Sequence, residues 1–267
     1  MSDYPKYADL VDAHCHLQDG FLRTALPAAL ARARAAGVRL LCCNGTHEGD
    51  WPYVLGLGQS NKDICVSLGL HPWYVDFRSP DWLVRLESLV ASYPVGIGEI
   101  GLDNALAKRN AQAQEEIFLA QMELAVRYDR PVSVHCRKAF GRLADLVGSM
   151  SARPRRMMLH AYAGSHEMVP VFENLGFSLS ICASITRPAN AKARQACQRV
   201  TRKRLLVESD SPAIAPLGIA HERNEPAYLP LIVEELAALR QEDPSLLAAQ
   251  CAANARVFFA GCTQEGF

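Results

Sequence analysis

Short apolar segments alternate with longer amphipathic segments along the whole chain of 267 residues. The short segments are rich in β-branched residues and have the length of buried parallel strands, whereas the longer ones carry apolar residues at helical spacing. The predicted strands are Ala8–His14, Val38–Asn44, Ile64–Gly69, Val95–Glu99, Val132–His135, Met157–His160, Phe177–Cys182 and Leu205–Glu208. The predicted helices are Leu22–Ala36, Trp82–Tyr93, Ala111–Asp129, Lys138–Met150, His166–Leu175, Ala189–Val200, Ala227–Arg240 and Pro244–Ala260.

This order of elements predicts an α/β fold, namely a (β/α)8 TIM barrel with an extra C-terminal helix. Alternating strands and helices produce parallel strands joined by crossover helices, and eight such repeats in about 250 residues match the size of this barrel. An open doubly wound sheet is the alternative, but it usually has a glycine-rich phosphate loop after its first strand. Here the first strand leads into Asp12–His16, which contains no glycine. Because no linker divides the chain, we expect residues 1–267 to form one barrel domain.

The composition is that of an ordinary globular protein, with 49% hydrophobic and 21% charged residues. The 28 Lys and Arg residues balance the 28 Asp and Glu residues, so a formal net charge of +0 does not favour non-specific binding to nucleic acid or membranes. Nine cysteines without a C-x-x-C pair are typical of buried thiols in a reducing compartment. No apolar run reaches the roughly 18 residues of a membrane span, and the N-terminus lacks signal-peptide features. We therefore expect a cytoplasmic protein.

Several polar side chains fall at the carboxyl ends of predicted strands, where barrel active sites form. In chain order they are His14, His16, His71, Glu99, His135, His160 and Asp210. One such residue alone is usually an ordinary polar residue, but a whole set on one rim indicates a metal centre. A strand directs His14 and His16 to the same face, about 6.5 Å apart along the chain. Cys15 and Cys136 then point away from the site, and Asp12 is predicted to orient an imidazole ring.

Imidazole and carboxylate ligands without thiolate suit Zn²⁺, Mn²⁺, Fe²⁺, Ni²⁺ or, more weakly, Mg²⁺. Four histidines and two carboxylates exceed the three protein ligands of a typical catalytic zinc ion. Two ions that share one carboxylate would use all six residues as ligands. Glu99 lies on a strand between the pair His14 and His16 and the pair His135 and His160, so it is the candidate for the shared ligand. The sequence therefore predicts two divalent metal ions, of a type left open between Zn, Mg, Mn and Ni, which supply positive charge that the side chains lack.

These residues resemble TatD-type metal-dependent deoxyribonucleases, a branch of the amidohydrolase-like barrels. The matching motifs, in the family's order, are Val11–His16, Gly69–Pro72, Gly98–Asp103, Pro131–Arg137, Leu159–Ser165, Leu205–Pro212 and Arg223–Pro226. Departures from the family pattern occur at Asn104, Ala105, Tyr162 and Ala213. None of them removes a ligand, so they concern substrate preference rather than hydrolysis.

The resemblance implies a ligand set and a group of substrate-binding residues. One metal would be held by His14, His16, Glu99 and Asp210, and the other by Glu99, His135 and His160. His71 and Arg137 would contact the substrate. Arg223 lies in the long loop 211–225 after the last strand, on the active side of the barrel, and is predicted to contact a phosphate.

The implied function is cleavage of DNA phosphodiester bonds by a metal-activated water, as a 3′–5′ exonuclease. Glu99 and Asp210 are the expected catalytic residues, with Asp210 orienting the water and taking its proton. The expected substrate is a DNA 3′ end or short single-stranded DNA, with no membrane and no obligate protein partner. One alternative is a two-metal amidohydrolase acting on a small ester or amide, although such enzymes often have a carbamylated lysine where this chain has Glu99. The other is a non-catalytic metal-binding protein, which would be expected to have lost a ligand.

Overall fold

Eight parallel strands form one sheet in order along the chain in the computed structural model, which describes residues 7–107 and 110–262. The strands are β1 (Leu10–Cys15), β2 (Val38–Asn44), β3 (Ile64–Leu68), β4 (Gly96–Asp103), β5 (Val132–Arg137), β6 (Met157–Leu159), β7 (Phe177–Ile181) and β8 (Leu205–Val207). The Asp210 amide donates to the His14 carbonyl over 3.0 Å, and the His16 amide donates to the Ser211 carbonyl over 2.7 Å. These bonds join the last strand to the first, so the predicted TIM barrel is confirmed.

Helices cover the outside of the sheet. They are α1 (Gly20–Ala35), α2 (Trp51–Ser60), α3 (Trp82–Ser92), α4 (Ala111–Arg127), α5 (Phe140–Ser149), α6 (Val169–Asn174), α7 (Ala191–Arg199), α8 (Leu229–Arg240) and α9 (Pro244–Phe258). Helix α2 was not predicted, because Gly56 and Gly58 lower the helical propensity of its short sequence. Burial of Trp51, whose indole donates to the Gly69 carbonyl over 2.9 Å, holds this helix in place. Within the described ranges, no helix is both long and apolar enough to cross a membrane.

Helix α9 packs against the amino-terminal ends of the strands. The Asn254 side chain donates to the carbonyls of Arg202 and Leu205, just before and at the start of β8, over 2.7 and 2.9 Å. Arg156, which precedes β6, donates to the Phe258 carbonyl over 3.0 Å. The aromatic ring of Phe258 is buried in the same cluster as inner-strand residues such as Leu40. Helix α9 therefore covers the amino-terminal end of the barrel, and an active site is expected at the carboxyl-terminal end.

Strand β4 extends four residues beyond its predicted end at Glu99. Its pairing with β5 shifts register between Ile97 and Ile100, so the segment containing Glu99 bulges out of the ladder. The Glu99 amide donates instead to the Gly45 carbonyl, over 2.7 Å. After the bulge the pairing resumes and continues to Asp103. The bulge reorients Glu99, and the extension brings Asp103 to the same rim.

Two glycines flanking Glu99 permit the close approach of β4 to β5. A Cβ atom on Gly98 would lie 2.8 Å from the Ser133 Cβ, and one on Gly101 would lie 1.9 Å from the His135 carbonyl oxygen. Gly101 also has a φ of +145°, a backbone conformation that other residues rarely adopt. Both positions therefore require glycine.

Candidate metal centre

The Glu99 carboxylate lies at the centre of a group of imidazole rings. Its Oε1 atom is 2.7 Å from Nε2 of His160, 3.0 Å from Nδ1 of His135 and 3.2 Å from Nε2 of His71. These three histidines follow or belong to strands β6, β5 and β3, and each was predicted to lie at this rim. One carboxylate oxygen thus faces nitrogen atoms from three directions.

The second oxygen of Glu99 faces the two histidines of β1. Oε2 is 3.2 Å from Nε2 of His16 and 3.5 Å from Nε2 of His14, and these two nitrogens are 3.1 Å apart. Oδ1 of Asp210 lies 3.9 Å from Nε2 of His16. The predicted shared direction of His14 and His16 is confirmed. Donor atoms of His14, His16 and Asp210 all lie within 4.8 Å of one another, a spacing that one metal ion can span.

A histidine can bind a metal ion beside Glu99 only if its proton is on the other ring nitrogen, the outer one that faces away from Glu99. Nδ1 of His16 lies 2.9 Å from the Asn44 carbonyl oxygen, so this nitrogen must carry the proton and donate it. Nε2 of His135 lies 3.3 Å from a carboxylate oxygen of Asp103 and is likewise protonated. In both rings the lone pair then points from the other nitrogen toward Glu99. Outer hydrogen bonds of this kind are typical of metal-binding histidines, so the donor set fits metal ions.

Two further rings have a polar group near the outer nitrogen, although the distance at His160 is too long for a hydrogen bond. Nδ1 of His160 faces Oε1 of the buried Glu208 at 3.6 Å, and Nδ1 of His14 lies 2.8 Å from the Ser133 hydroxyl. A protonated Nδ1 on His160 leaves the Nε2 lone pair directed at Glu99. The Ser133 hydroxyl can accept from His14 and leave its Nε2 free in the same way.

His71 differs from the other four histidines. Its Nδ1 atom accepts a hydrogen bond from the Trp73 amide over 3.1 Å, so the proton of the neutral ring is on Nε2, which faces Glu99. By distance alone, two further sets of possible ligands exist. One is His14, Glu99 and His160, and the other is His71, Glu99 and His135. A nitrogen that carries a proton cannot bind a metal ion. His71 is therefore placed as a hydrogen-bond donor to Glu99, and its contact with substrate stays a prediction.

Burial and charge set the protonation of the site. Burial alone raises the pKa of Glu99, but the surrounding histidines, with His160 foremost, hold it well below its ordinary value. Burial raises the pKa of Asp210 to about 6, against the opposing charge of His160. Burial lowers the pKa of His71 to about 4, which keeps this ring neutral at pH 7. Glu99 is thus ionised at pH 7, and Asp210 is the more readily protonated of the two carboxylates.

A cavity of about 430 Å³ opens onto these residues at the carboxyl end of the barrel. Beyond the candidate ligands and His71, its walls include the aromatic rings of Phe21, Trp73 and Tyr74 and the carboxylates of Asp19 and Glu222. Within the described part of the chain, no lysine or arginine lines it. Among the side chains of the described residues, only histidines can therefore supply positive charge in this cavity.

The two arginines predicted to contact substrate lie outside this cavity. Arg137, at the end of β5, and Arg223 are both exposed. Next to Arg223, the buried Asn224 donates to the Ser209 carbonyl over 3.0 Å, so this part of the motif holds the segment after β8 in place. Contacts of Arg137 and Arg223 with substrate stay predictions.

Asp12 has a different role from the predicted one. Its carboxylate accepts from the Ser209 amide and hydroxyl, over 2.8 and 2.5 Å, and from the His14 amide over 3.3 Å. Within the described residues it makes no hydrogen bond to an imidazole ring. The prediction was wrong because strand alternation gives the face of a side chain but not its partner, and here the segment after β8 supplies that partner. Asp12 therefore joins β1 to this segment.

Asp103 is the residue that sequence reasoning missed and that contacts the candidate ligands most directly. It is fully buried and accepts from Nε2 of His135 and, over 2.8 Å, from the Trp73 indole. The strand was predicted to end at Glu99, which left Asp103 in a loop. Its position in the Gly98–Asp103 motif was the available signal. Asp19, Trp73, Glu208 and Glu222 were also missed.

We expect Asp103→Asn to weaken metal binding by about 10- to 100-fold. The amide keeps the volume of the side chain but can no longer accept from both His135 and the Trp73 indole with a full negative charge. Titration of the metal-free protein with Zn²⁺ or Mn²⁺, followed by calorimetry, measures this change. Asp76→Asn, an exposed carboxylate bonded by Asn110, serves as the matched control. Equal affinities in both variants would contradict this role for Asp103.

Comparisons with known proteins agree with the geometry. A family model described as TatD related DNase matches residues 11–260. The 3′-5′ ssDNA/RNA exonuclease TatD of Edwardsiella piscicida is 31% identical over 257 residues, which cover 94% of this chain and 99% of that protein. A protein of Escherichia coli strain K12 named uncharacterized metal-dependent hydrolase YjjV is 29% identical over 241 residues, or 89% of this chain and 93% of that protein.

The crystal structure of YjjV, described as a TatD homolog from Escherichia coli K12, has a TM-score of 0.90 to this chain. The two chains are 28% identical in that superposition, which covers 93% of this chain and 97% of YjjV. The barrel and its order of elements are therefore shared over nearly the whole length of both chains.

Proposed function

The chain belongs to the TatD-related DNase family of metal-dependent hydrolases, and on that premise we propose that it removes nucleotides from the 3′ end of single-stranded DNA. The observation that carries this proposal is the buried Glu99 carboxylate, which faces nitrogen atoms of five histidines in one cavity. The relative from Edwardsiella piscicida, a 3′-5′ ssDNA/RNA exonuclease by name, supports the choice of substrate.

Two divalent metal ions would fit this donor set, with Glu99 as a ligand that both could share. One ion is assigned to His14, His16, Glu99 and Asp210, and the other to Glu99, His135 and His160. When bound, such ions activate a water molecule and neutralise charge on a phosphate. The outer hydrogen bonds of His16 and His135 support the assignment, because they turn the lone pairs inward.

The remaining steps fall to the chain's own residues. Asp210, whose carboxylate lies beside His16 and His160, accepts the proton of the attacking water. His71 donates a hydrogen bond from Nε2 to Glu99 and thereby orients this carboxylate, since its Nδ1 is occupied by the Trp73 amide. Arg137 and Arg223 contact phosphates outside the cavity.

Charge supports dependence of substrate binding on metal ions. The cavity holds Asp19 and Glu222 in addition to Glu99 and Asp210, and no lysine or arginine of the described residues lines it. A phosphate therefore binds strongly only where ions reverse this charge. For the location of the enzyme we propose the cytoplasm, where a chain with nine free cysteines, eight of them buried, stays reduced.

The test is a 5′-labelled single-stranded oligonucleotide incubated with the protein and Mg²⁺, Mn²⁺ or Zn²⁺. We expect stepwise shortening from the 3′ end and complete loss of activity in excess chelator. An oligonucleotide whose 3′-terminal linkage is a phosphorothioate should be degraded more slowly, whereas the same change at the 5′ end should have no effect. Hydrolysis of small amides or esters without any cleavage of oligonucleotides would contradict the proposal.

Asp210→Asn is expected to lower kcat on the oligonucleotide by about 10²- to 10⁴-fold, because the amide cannot take the proton of the water. Asp145→Asn, on the exposed surface of α5, is the matched control and should retain full activity. Steady-state kinetics of both variants at saturating metal measure the difference. An Asp210→Asn enzyme with unchanged kcat would exclude this role.

A further inference from the structure

We propose that the turn Pro72–Phe77 binds two successive nucleobases of the substrate strand, with Trp73 stacking on one base and Phe77 on the next. Trp73 would contact a base adjacent to the scissile phosphate, and Phe77 the next base away from the 3′ end. The inference rests on the proposed function, because it specifies how the same cavity binds a single strand.

Trp73 has an exposed aromatic face that is nevertheless held in one orientation. The residue is 51% exposed, yet its indole nitrogen donates to the buried Asp103 carboxylate over 2.8 Å. Its ring lies 5.0 Å from that of His71 at an interplanar angle of 89°. A ring fixed in this way loses little conformational entropy when a ligand stacks on it. It therefore provides a preorganised wall next to the groups that bind phosphate.

Phe77 is the most exposed large apolar side chain of the described residues, at 82%. It lines a second concavity of about 210 Å³, together with His47 and Tyr74. Tyr74 also lines the cavity of the candidate metal centre, so the two concavities adjoin at this ring. Phe77 therefore has little role in packing the core and lies on a surface that continues from the site.

The charges around Phe77 favour a phosphodiester backbone. Arg78 is exposed and donates to the Val75 carbonyl, and no carboxylate within residues 7–107 and 110–262 forms an ion pair with it. The carboxylate of Glu48, which lines the same concavity, is engaged by Arg85 over 2.8 Å and by Ser79. A strand that passes Phe77 thus meets a guanidinium group that has no ion-pair partner among the described residues, with the exposed carboxylate of Asp76 in the same turn.

A single strand is the occupant that fits these features together. Aromatic side chains bind successive unpaired bases by stacking, without sequence preference, and basic groups contact the backbone between them. In a duplex the bases are stacked and paired, so they are not available to Trp73 and Phe77. We therefore expect preference for single strands and dependence of affinity on strand length.

The experiment compares a dinucleotide with a hexanucleotide as substrates for the metal-loaded enzyme. Phe77→Ala should raise KM for the hexanucleotide by about 5- to 100-fold, the range for loss of one base stack, and leave KM for the dinucleotide and both kcat values unchanged. Phe77→Trp should restore the wild-type KM. Val84→Ala, a variant of another exposed apolar residue at 71%, is the control and should behave as wild type.

An abasic hexanucleotide gives an independent readout. With an abasic site at the position assigned to Phe77, wild-type enzyme should show the raised KM, and Phe77→Ala should add no further loss. Additive effects of the two changes would overturn the stacking contact, as would a Phe77→Ala enzyme with unchanged KM for the intact strand. Loss of self-association in Phe77→Ala, seen by size-exclusion chromatography with unchanged KM, would instead identify this surface as an interface between copies.

Failure of this inference is distinguishable from failure of the proposed function. Bis(p-nitrophenyl) phosphate carries a phosphodiester but no nucleobase, so its hydrolysis reports the chemistry alone. Phe77→Ala should hydrolyse it at the wild-type rate. Wild-type protein that cleaves neither this ester nor the oligonucleotide would refute the proposed function, whereas cleavage of both with no effect of Phe77→Ala would refute the stacking alone.

Discussion

Replacement of Glu99 by glutamine is expected to lower kcat/KM for oligonucleotides by about 10³-fold or more. Glutamine has nearly the same volume, so the barrel can still close around it. It lacks the negative charge that His14, His16, His71, His135 and His160 surround. Its amide group would also direct hydrogen atoms at ring nitrogens whose lone pairs point inward. We therefore expect loss of the bridged metal pair together with loss of hydrolysis.

Two measurements on the purified Glu99→Gln protein check this result. Elemental analysis after metal loading should find less metal than in the wild type, and thermal unfolding should show that the protein remains folded. Glu116→Gln, on the exposed face of α4, is the matched control and should keep both metal and activity. Full metal occupancy and wild-type kinetics in Glu99→Gln would refute its assignment as the bridge.

Gly101→Ala is expected to destabilise the folded state by about 3 kcal/mol or more. A Cβ atom at this position would lie 1.9 Å from the His135 carbonyl oxygen, so β4 and β5 would have to separate beside the site. The φ of +145° adds backbone strain for alanine. For a chain of this size, we expect the melting temperature to fall by about 6 to 12 °C.

The same substitution elsewhere provides the control for Gly101→Ala. Gly56 lies in the interior of α2, and a Cβ atom there would have no neighbour within 4 Å. Gly56→Ala should therefore stabilise the protein, by about 0.5 to 1 kcal/mol. Thermal unfolding followed by circular dichroism compares both variants with the wild type. A melting temperature of Gly101→Ala at or above the wild-type value would contradict this prediction, because it would show that β4 and β5 can separate without loss of stability.

The barrel and the candidate ligands were predictable because both depend on local rules. Each strand is a short apolar run, and in a parallel barrel the residue at its carboxyl end must point to one common rim. His14, His135 and His160 follow from these rules without any knowledge of long-range pairing. Their convergence on Glu99 was therefore predictable, although the bulge that orients Glu99 was not.

The parts that were missed depend on contacts between distant segments. Asp103 reaches the site only because β4 resumes its pairing with β5 after the bulge. No local sequence pattern predicts that β4 continues as far as Asp103. Asp19 and Glu222 line the cavity because the loops after β1 and β8 face each other across it. The donor role of His71 depends on one hydrogen bond from the Trp73 amide. Each of these facts is set by the tertiary structure rather than by periodicity.

Asp103 has a consequence for how enzymes of this kind can change. The same carboxylate fixes the indole of Trp73 and a ring nitrogen of His135, so one buried residue supports both an aromatic wall and a candidate metal ligand. A substitution at Trp73 that alters substrate binding also removes a hydrogen bond from Asp103, the residue that supports His135. Substitutions at Trp73 are therefore expected to change metal affinity as well as substrate binding, unless residues around Asp103 change with them.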